Sequence, residues 1–313
     1  MPATPYTKRA NLGKLGAVGV ALQAVLGTFL APTIFFKATG GSDIQPDYVW
    51  ARENFKNGVL FEEASSQAGI TYQGKNVQIH AHASALLLVA TAMLGVPVAG
   101  VITPSSSMNW DAKVPGNPFS AELQTPNAAV KVTDGQFIML KISSNGRQAP
   151  FNAQVDFHAV KAEPLAETAL TPVVYPADLA FTFRDVNITF NGNPATAETA
   201  DITLQVAIDP LDSLNGSDYI DGFERGTNGT QCSGSMTLQV VDANLQAAYT
   251  SHTRAPVVFS LKRGGKEFTV TIPNAEIESY TIPAGMGRIQ PVVNYRAVSL
   301  AGEASFTVKA TNT

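Results

Sequence analysis

The chain has 313 residues, a formal net charge of −4 and a single cysteine, Cys232. The charge excludes a strongly basic domain that grips nucleic acid, and the lone cysteine excludes a disulfide framework or a cysteine-based zinc site. Charged residues make up only 15% of the chain, against roughly 25% in an ordinary globular protein, so we expect much of the surface to lie against other protein.

An uncharged apolar run occupies residues 15–36, after three basic residues. Such a run suits a signal peptide or a membrane span. Glycines interrupt it, however, and Val18, Val20 and Leu22 occupy every second position, which is the spacing of a β-strand. We predict a strand here, and a membrane or export segment is the alternative.

A second uncharged run, 83–102, divides at Gly95 and Pro97 into a helix and an extended piece. Ser84 is predicted to cap this helix and Asp242 to cap a second helix over 243–249, because their side-chain oxygens accept the free N–H groups of a first turn.

Most of the remaining sequence predicts strands, because apolar, β-branched and aromatic residues alternate with polar ones. A Gly-Gly pair, which suits a tight hairpin turn, separates the last two predicted strands. The predicted strands are 180–183, 186–190, 202–208, 235–240, 257–262 and 266–272.

The two halves of the chain repeat one order of elements, which indicates an internal duplication. The strand that leads into the cap at Asp242 begins 158 residues after the one that leads into Ser84 (235 against 77). Farther on, 268–298 aligns without a gap to 130–160, at an offset of 138 (268 against 130). Chance similarity between β segments is the alternative.

The change of offset predicts an extra loop in the first half, and 103–118 is rich in turn residues. The join is expected within 162–176. The predicted domains are therefore 1–165 and 166–313, and the predicted class is mainly β.

No catalytic, cofactor or metal site is predicted. His80 and His82 share a strand face, but the other two imidazoles lack ligand spacing, so two half-buried strand histidines are expected. The acidic stretch 209–224 lacks the spacing of a calcium loop and is predicted to be a solvated or partner-facing loop. Neither a nucleophile elbow nor a glycine-rich phosphate loop occurs, so an enzyme is not predicted.

Four parts of the chain carry a family pattern: Gly19-Val20-Ala21-Leu22 with Gly27-Thr28 and 31–36, the strand and helix of 77–94, their equivalent from Ser233-Gly234-Ser235 onward, and the closing segment 292–297. Together they resemble the phage tail tube proteins of long non-contractile tails, over most of the chain.

The resemblance implies two tandem tail-tube-like β-sandwich domains, each with one flanking α-helix, that contribute strands to a shared inner β-barrel. It implies a structural virion protein that polymerises into stacked rings, with trimeric rings imitating hexamers, as a conduit for genome ejection. The implied partners are other copies, the tape measure, tail tip and tail terminator proteins, and DNA only in transit, with no membrane. The implied location is the virion tail, and the host cytoplasm during assembly.

Each half contains a long turn-rich insert, at 39–75 and 209–232, and we expect both inserts to bridge one ring to the next. A pair of mobile surface loops is the alternative. The expected contact residues are Asp43, Asp47, Arg52, Glu53, Asp209, Asp212, Asp218, Asp221 and Glu224.

Two other functions stay open from the sequence. One is an exported or membrane-anchored β-sandwich binding protein anchored by 15–36. The other is a carbohydrate-active or calcium-dependent β enzyme.

Overall fold

The computed structural model describes residues 17–40, 43–53, 64–104, 117–125, 128–144, 146–147, 149–166, 169–211, 220–283, 289–300 and 304–311. Within these ranges the chain is mainly β, with 17 strands in one sheet. The strands of the first half are β1 Ala17–Leu22, β2 Ile34–Phe36, β3 Ala38–Gly40, β4 Asp43–Glu53, β5 Ala64–His80, β6 Val101–Ile102, β7 Phe119–Thr125, β8 Ala128–Ser143 and β9 Asn152–Leu165.

The second half continues the sheet. Its strands are β10 Val186–Phe190, β11 Asn193–Pro194, β12 Ala197–Leu211, β13 Gly222–Leu238, β14 Ala255–Arg263, β15 Lys266–Thr281, β16 Val292–Ala297 and β17 Thr307–Thr311. The helices are α1 Ala83–Leu94 and α2 Ala243–Thr250, and a short 3-10 helix spans Phe183–Asp185.

Local sequence signals place several of these elements. The alternating residues near the N-terminus form β1, which confirms the predicted strand. The Gly-Gly pair joins β14 to β15, with φ angles of 56° at Gly264 and 85° at Gly265. Side chains with a Cβ are disfavoured at such angles, so glycine suits this two-residue turn. Among the described residues, neither helix combines the length and the hydropathy that a bilayer crossing requires.

The two helices begin differently. Asp242 caps α2 as predicted, because its carboxylate accepts the backbone N–H groups of Asn244 and Leu245. The predicted cap of α1 is wrong: the N-cap residue is His82, and Ser84 lies inside the first turn. Residue spacing cannot distinguish a capping serine from a first-turn serine whose partner comes from elsewhere in the fold.

The predicted strand over 180–183 is also wrong. Phe181 donates its N–H to Ala81 and accepts one from Phe151, at 2.9 Å each, but the chain then turns into the 3-10 helix. Thr182 and Asp185 form a capping box at that turn, which ends the extended segment.

The strand order of the two halves is the same. In the first half, antiparallel ladders run in the order β4, β5, β9, β8, β7, β1. In the second half they run in the order β12, β13, β16, β15, β14, β10.

The strand bounds repeat the offsets found in the sequence. β13 begins and ends 158 residues after β5 (222 against 64, 238 against 80). β15 begins and ends 138 residues after β8 (266 against 128, 281 against 143). The similar segments of the sequence therefore occupy the same places in the two ladders.

Two ladders join the halves into a continuous sheet. β8 pairs with β12, and β17 pairs with both β15 and β6. Over the residues that the structure describes, the sheet is not closed into a barrel, and the buried side chains of both halves form one hydrophobic cluster. The halves are thus packed together rather than linked loosely.

Candidate functional site

The residues expected to bridge rings lie on or beside two β-hairpins. The first hairpin is β4–β5 and the second is β12–β13. Asp43, Asp47, Arg52 and Glu53 lie in β4, Asp209 in β12, Glu224 in β13 and Asp221 just before β13, whereas Asp212 and Asp218 lie outside the described residues.

The expectation of turn-rich loops at these places is wrong for the described residues. Tyr48, Val49 and Trp50 occupy consecutive positions of β4, and such residues favour strands. The charged residues around them suggested a loop, but a strand with a polar face accepts such residues without losing its backbone ladder.

At the Leu211–Gly222 end of the second hairpin, where the chain turns from β12 to β13, the structure pairs two of the predicted acidic residues. Asp209 lies directly opposite Glu224 in the β12–β13 ladder, and both are exposed. Like charges at facing positions repel one another. This end of the hairpin therefore carries concentrated negative charge, and the ladders do not bring it together with the acidic residues of β4.

The seam between the halves is the ladder between the end of β8 and the middle of β12. Residues 139–143 pair with 205–201 in antiparallel register. Leu140, Ile142, Ile202 and Leu204 are all fully buried there. The seam therefore combines backbone pairing with removal of aliphatic surface from water.

The hydrogen bonds at the end of this ladder show which residues of β12 direct their backbone N–H and C=O groups toward β8. Ser144 donates its N–H to the carbonyl of Ala200 at 3.0 Å, and Ala200 donates its own N–H to Ser144 Oγ at 3.1 Å. Because these directions alternate along a strand, Ile202 and Leu204 also direct their N–H and C=O groups toward β8.

Helix α1 lies against β8 and is covered by the second half. It packs on β8 of its own half, on β6, and on β15 and β17 of the other half. Phe306, just before β17, and Val308 within it are fully buried. The C-terminal strand thus completes the first half of the chain.

A buried polar cluster fixes the start of α1. Asp178 accepts hydrogen bonds from the backbone N–H of Ser84 at 3.2 Å and from its Oγ at 3.0 Å. His82 Nδ1 lies 2.9 Å from the carbonyl oxygen of Asp178. Asp178 therefore acts as a cap supplied from 94 positions along the chain.

This cluster has perturbed titration behaviour. Burial lowers the pKa of His82 below its ordinary value of 6.5, against the opposing effect of the Asp178 carboxylate. Burial acts to raise the pKa of Asp178, but the two hydrogen bonds from Ser84 and the nearby His82 hold it below its ordinary range. The arrangement favours a neutral imidazole beside an ionised carboxylate.

The geometry of the described residues gives no metal centre. His80 and His82 lie with ring centroids 6.5 Å apart, and no group of three suitable ligands occurs in the described ranges. Cys232 is buried, and this burial raises the pKa of its thiol. These side chains are part of the packing.

Many basic side chains on the surface lie in ion pairs with carboxylates. Glu267 binds two lysines, Glu163 binds two lysines, and Glu276 lies between two arginines. The paired cations are Lys131, Lys161, Lys262, Lys309, Arg254 and Arg296. Positive charge on these strands is therefore largely neutralised by neighbouring carboxylates.

The sequence missed two parts of this site. The β8–β12 seam joins strands that are not repeat equivalents of each other, so the duplication did not indicate it. Asp178 lies in a proline-containing connection without periodicity, and no local signal identified it as a cap.

Comparison with known proteins connects this architecture to a family. A family model described as phage tail tube protein matches residues 16–310, which is nearly the whole chain. A search of curated proteins found no match.

Proposed function

The chain belongs to the phage tail tube protein family, and from this premise we propose that its copies assemble into stacked rings that enclose a channel for the phage genome. As a family member, the chain is a structural component of the virion tail. The ring, the inner barrel and the passage of DNA are the finer parts of the proposal.

The repeated strand order is the observation that carries it. Each half has the same succession of six paired strands and one helix, so domains 1–165 and 166–313 serve as two similar modules. Three chains then supply six modules, and a ring of three imitates a hexamer. Within that ring, strands of neighbouring modules line a shared barrel, which leaves fewer exposed strand edges.

The charge of the chain suits a channel that releases DNA. Every phosphate that a protein cation neutralises adds binding affinity through release of counterions. A net charge of −4, with many cations held in ion pairs, limits this affinity. DNA is a passenger in this proposal and not a bound ligand.

The two hairpins are suited to bridge successive rings. Both hairpins occupy equivalent places in the two modules, and the second carries the facing acidic residues Asp209 and Glu224, which basic side chains of a neighbouring ring can pair. The same tube contacts the tape measure inside it and the tip and terminator proteins at its ends. Assembly takes place in the host cytoplasm.

Negative-stain electron microscopy of the purified full chain, and of virions, tests the proposal. We expect hollow tubes of regular diameter in virions, and rings or tubes of the same diameter in concentrated protein. A chain that remains monomeric and is absent from purified virions contradicts the proposal.

Deletion of residues 212–219 tests the bridging hairpins separately. We expect rings that no longer stack, measured as loss of tubes with retained ring-sized particles. A matched deletion within 105–116, which lies outside both hairpins, is the control. Tubes of normal length from the first variant contradict a bridging role.

A further inference from the structure

The two strands of the β8–β12 seam each have a repeat equivalent with an open edge, β15 in the second half and β4 in the first half. We infer that residues 279–281 of β15 in one copy pair with residues 43–45 of β4 in the next copy, in the register of the β8–β12 ladder. This inference rests on the proposed ring and identifies the strands that close it.

The first open edge belongs to β15. Along β8, one edge carries β7 and then β12, while the other carries β9. Along β15, the corresponding edge carries β14 only as far as Ala275. No strand among the described residues pairs with 279–281 on that edge, although the repeat places these residues where β8 receives β12.

The second open edge belongs to β4. Its repeat equivalent, β12, pairs with β13 on one edge and with β8 on the other. β4 pairs with β5 along its whole length, and within the described ranges its other edge has no strand. Among the described residues, each half of the chain thus presents one strand of a ladder that already exists between β8 and β12.

The offsets of the repeat determine the register. Thr281 corresponds to Ser143, and Asp43 corresponds to Asp201. Because Ser143 and Asp201 face each other in the seam, Thr281 faces Asp43 of the next copy in the proposed ladder. β15 has a β-bulge at Glu278, whereas the bulge of β8 is at Ile138, before its seam residues, so the correspondence is direct for 279–281. The strand pair between copies is therefore antiparallel and three residues long, in the register of the pairing of 141–143 with 201–203.

The alternation of backbone groups is consistent with this register. The backbone N–H and C=O groups of Ile202 and Leu204 point toward β8. The backbone groups of their equivalents, Ile44 and Pro46, therefore point away from β5. A proline inside a paired strand is tolerated where its nitrogen faces away from the existing ladder. Ile44 can exchange two hydrogen bonds with Tyr280.

Side-chain burial gives a second observation at the same edge. Leu140 and Ile142 are fully buried in the existing seam. Tyr280, the equivalent of Ile142, is only half-buried in the single chain. The β15 edge therefore offers the same backbone groups as β8 does in the seam, but its side chains are less buried.

Helix α2 gives a third observation. The second half covers α1, which packs on β8, whereas α2, which packs on β15, has only Leu245 buried. Val240, Val241 and Tyr249 are exposed large side chains at this place. A following copy that pairs with β15 would lie beside α2, as the second half lies beside α1.

The resulting contact is heterologous, because it joins two different edges of the same chain. It leaves one open β15 edge and one open β4 edge after every addition. In a closed ring, every open β15 edge pairs with an open β4 edge. A ring of three chains then contains six ladders of one kind, three within chains and three between chains.

Disulfide cross-linking of the full chain tests the register. Gln45 faces Ser279 in the proposed ladder, at a position between hydrogen-bonded pairs, where Cα atoms lie about 4.5 Å apart. This separation permits a disulfide. The variant carries Gln45→Cys and Ser279→Cys, and the native Cys232 is buried.

Mild oxidation should link this variant into covalent dimers and trimers on a non-reducing gel, with electron microscopy of the same sample. The matched control carries Gln45→Cys and Tyr280→Cys, which places the second thiol on the opposite face of the sheet. Each single-cysteine variant shows the background from chance collisions.

The cross-link and the tube are independent readouts. Tubes without cross-linking above the control overturn the proposed ladder and leave the tube intact. Cross-linking without tubes supports the ladder and overturns the stacked tube. An additional variant, Ile44→Pro, removes an outward N–H without affecting the β4–β5 ladder, and should abolish rings while the chain stays folded by circular dichroism.

Discussion

Helices α1 and α2 follow equivalent strands and pack on equivalent strands, yet their surroundings differ. Of the 12 residues of α1, 11 are buried, whereas α2 buries only Leu245. α1 consists almost entirely of small and aliphatic residues, and α2 includes Asn244, Gln246 and Tyr249. The chain covers the first helix with its own C-terminal strand and leaves the second in contact with water.

The difference shows how one arrangement of strands and a helix can contain either a covered helix or an exposed one. A helix covered during folding can be wholly apolar. A helix that is open in the free chain must keep polar residues, because a large exposed apolar patch promotes uncontrolled association. In the proposed ring the second helix is covered only after assembly.

The largest expected effect comes from truncation at equivalent helix positions. Leu86→Ala in α1 should lower the free energy of unfolding by about 2–5 kcal/mol, because Leu86 is fully buried. Asn244→Ala at the equivalent position in α2 should change it by less than about 0.5 kcal/mol, since Asn244 is exposed. Urea denaturation of both variants measures the contrast, and equal losses would contradict it.

The next effect tests a feature that the halves share. Gly74 lies under the ring of Phe157, and Gly234 under the ring of Tyr295, so an added Cβ would overlap the aromatic side chain in both. Gly74→Ala and Gly234→Ala should each destabilise the chain by about 1–3 kcal/mol.

Thermal denaturation measures this destabilisation, and a second substitution tests whether the aromatic ring causes it. Adding Phe157→Leu to Gly74→Ala should cost less than the sum of the two single changes, because the smaller side chain makes room. Strict additivity would show that the aromatic ring is not responsible.

A smaller contrast concerns the caps. Asp178→Ala should cost about 1–3 kcal/mol, because it leaves the buried N–H and hydroxyl of Ser84 without their carboxylate. Asp242→Ala should cost about 1 kcal/mol, because α2 begins at the surface and water can replace the cap. Chemical denaturation compares them, and a larger loss for Asp242→Ala would reverse the interpretation.

The smallest expected effect is a pH dependence at α1 alone. The folded chain lowers the pKa of His82, so the unfolded chain binds more protons as the pH falls below 6.5. The free energy of unfolding should therefore fall as the pH is lowered from 6.5 through the folded pKa, and the His82 contribution should be constant above 6.5.

Comparison with His82→Gln isolates this contribution. The groups that act on the imidazole are Asp178, Lys37 and His80. Between pH 5 and pH 6.5, the free energy of unfolding of the variant should depend less steeply on pH. The difference in slope should correspond to about one proton at most, and denaturation curves at several pH values measure it. An unchanged slope would assign the pH dependence to other groups.

Local residue patterns were sufficient for much of the fold. Alternation predicted β1 and β10, the Gly-Gly pair predicted the β14–β15 turn, and Asp242 predicted the start of α2. These features depend on residues close together in the chain, whose conformational preferences the sequence exposes directly. The offsets of 158 and 138 placed two strand pairs in the repeat for the same reason.

The sequence was less informative at the hairpins. Charged residues of β4 favoured a loop, because single-strand patterns do not show that a neighbouring strand satisfies the backbone. The predicted contact residues that the structure describes lie on or beside these hairpins, and their role in stacking stays a prediction.

Only the tertiary structure decided how the halves meet. The β8–β12 seam, the cover of α1 by β17 and the cap from Asp178 each join residues far apart along the chain. Strand edges offer the same N–H and C=O groups whatever their side chains, so periodicity cannot select the partner of an edge. Packing in three dimensions selects it, by burying Leu140 and Ile142 against the other half.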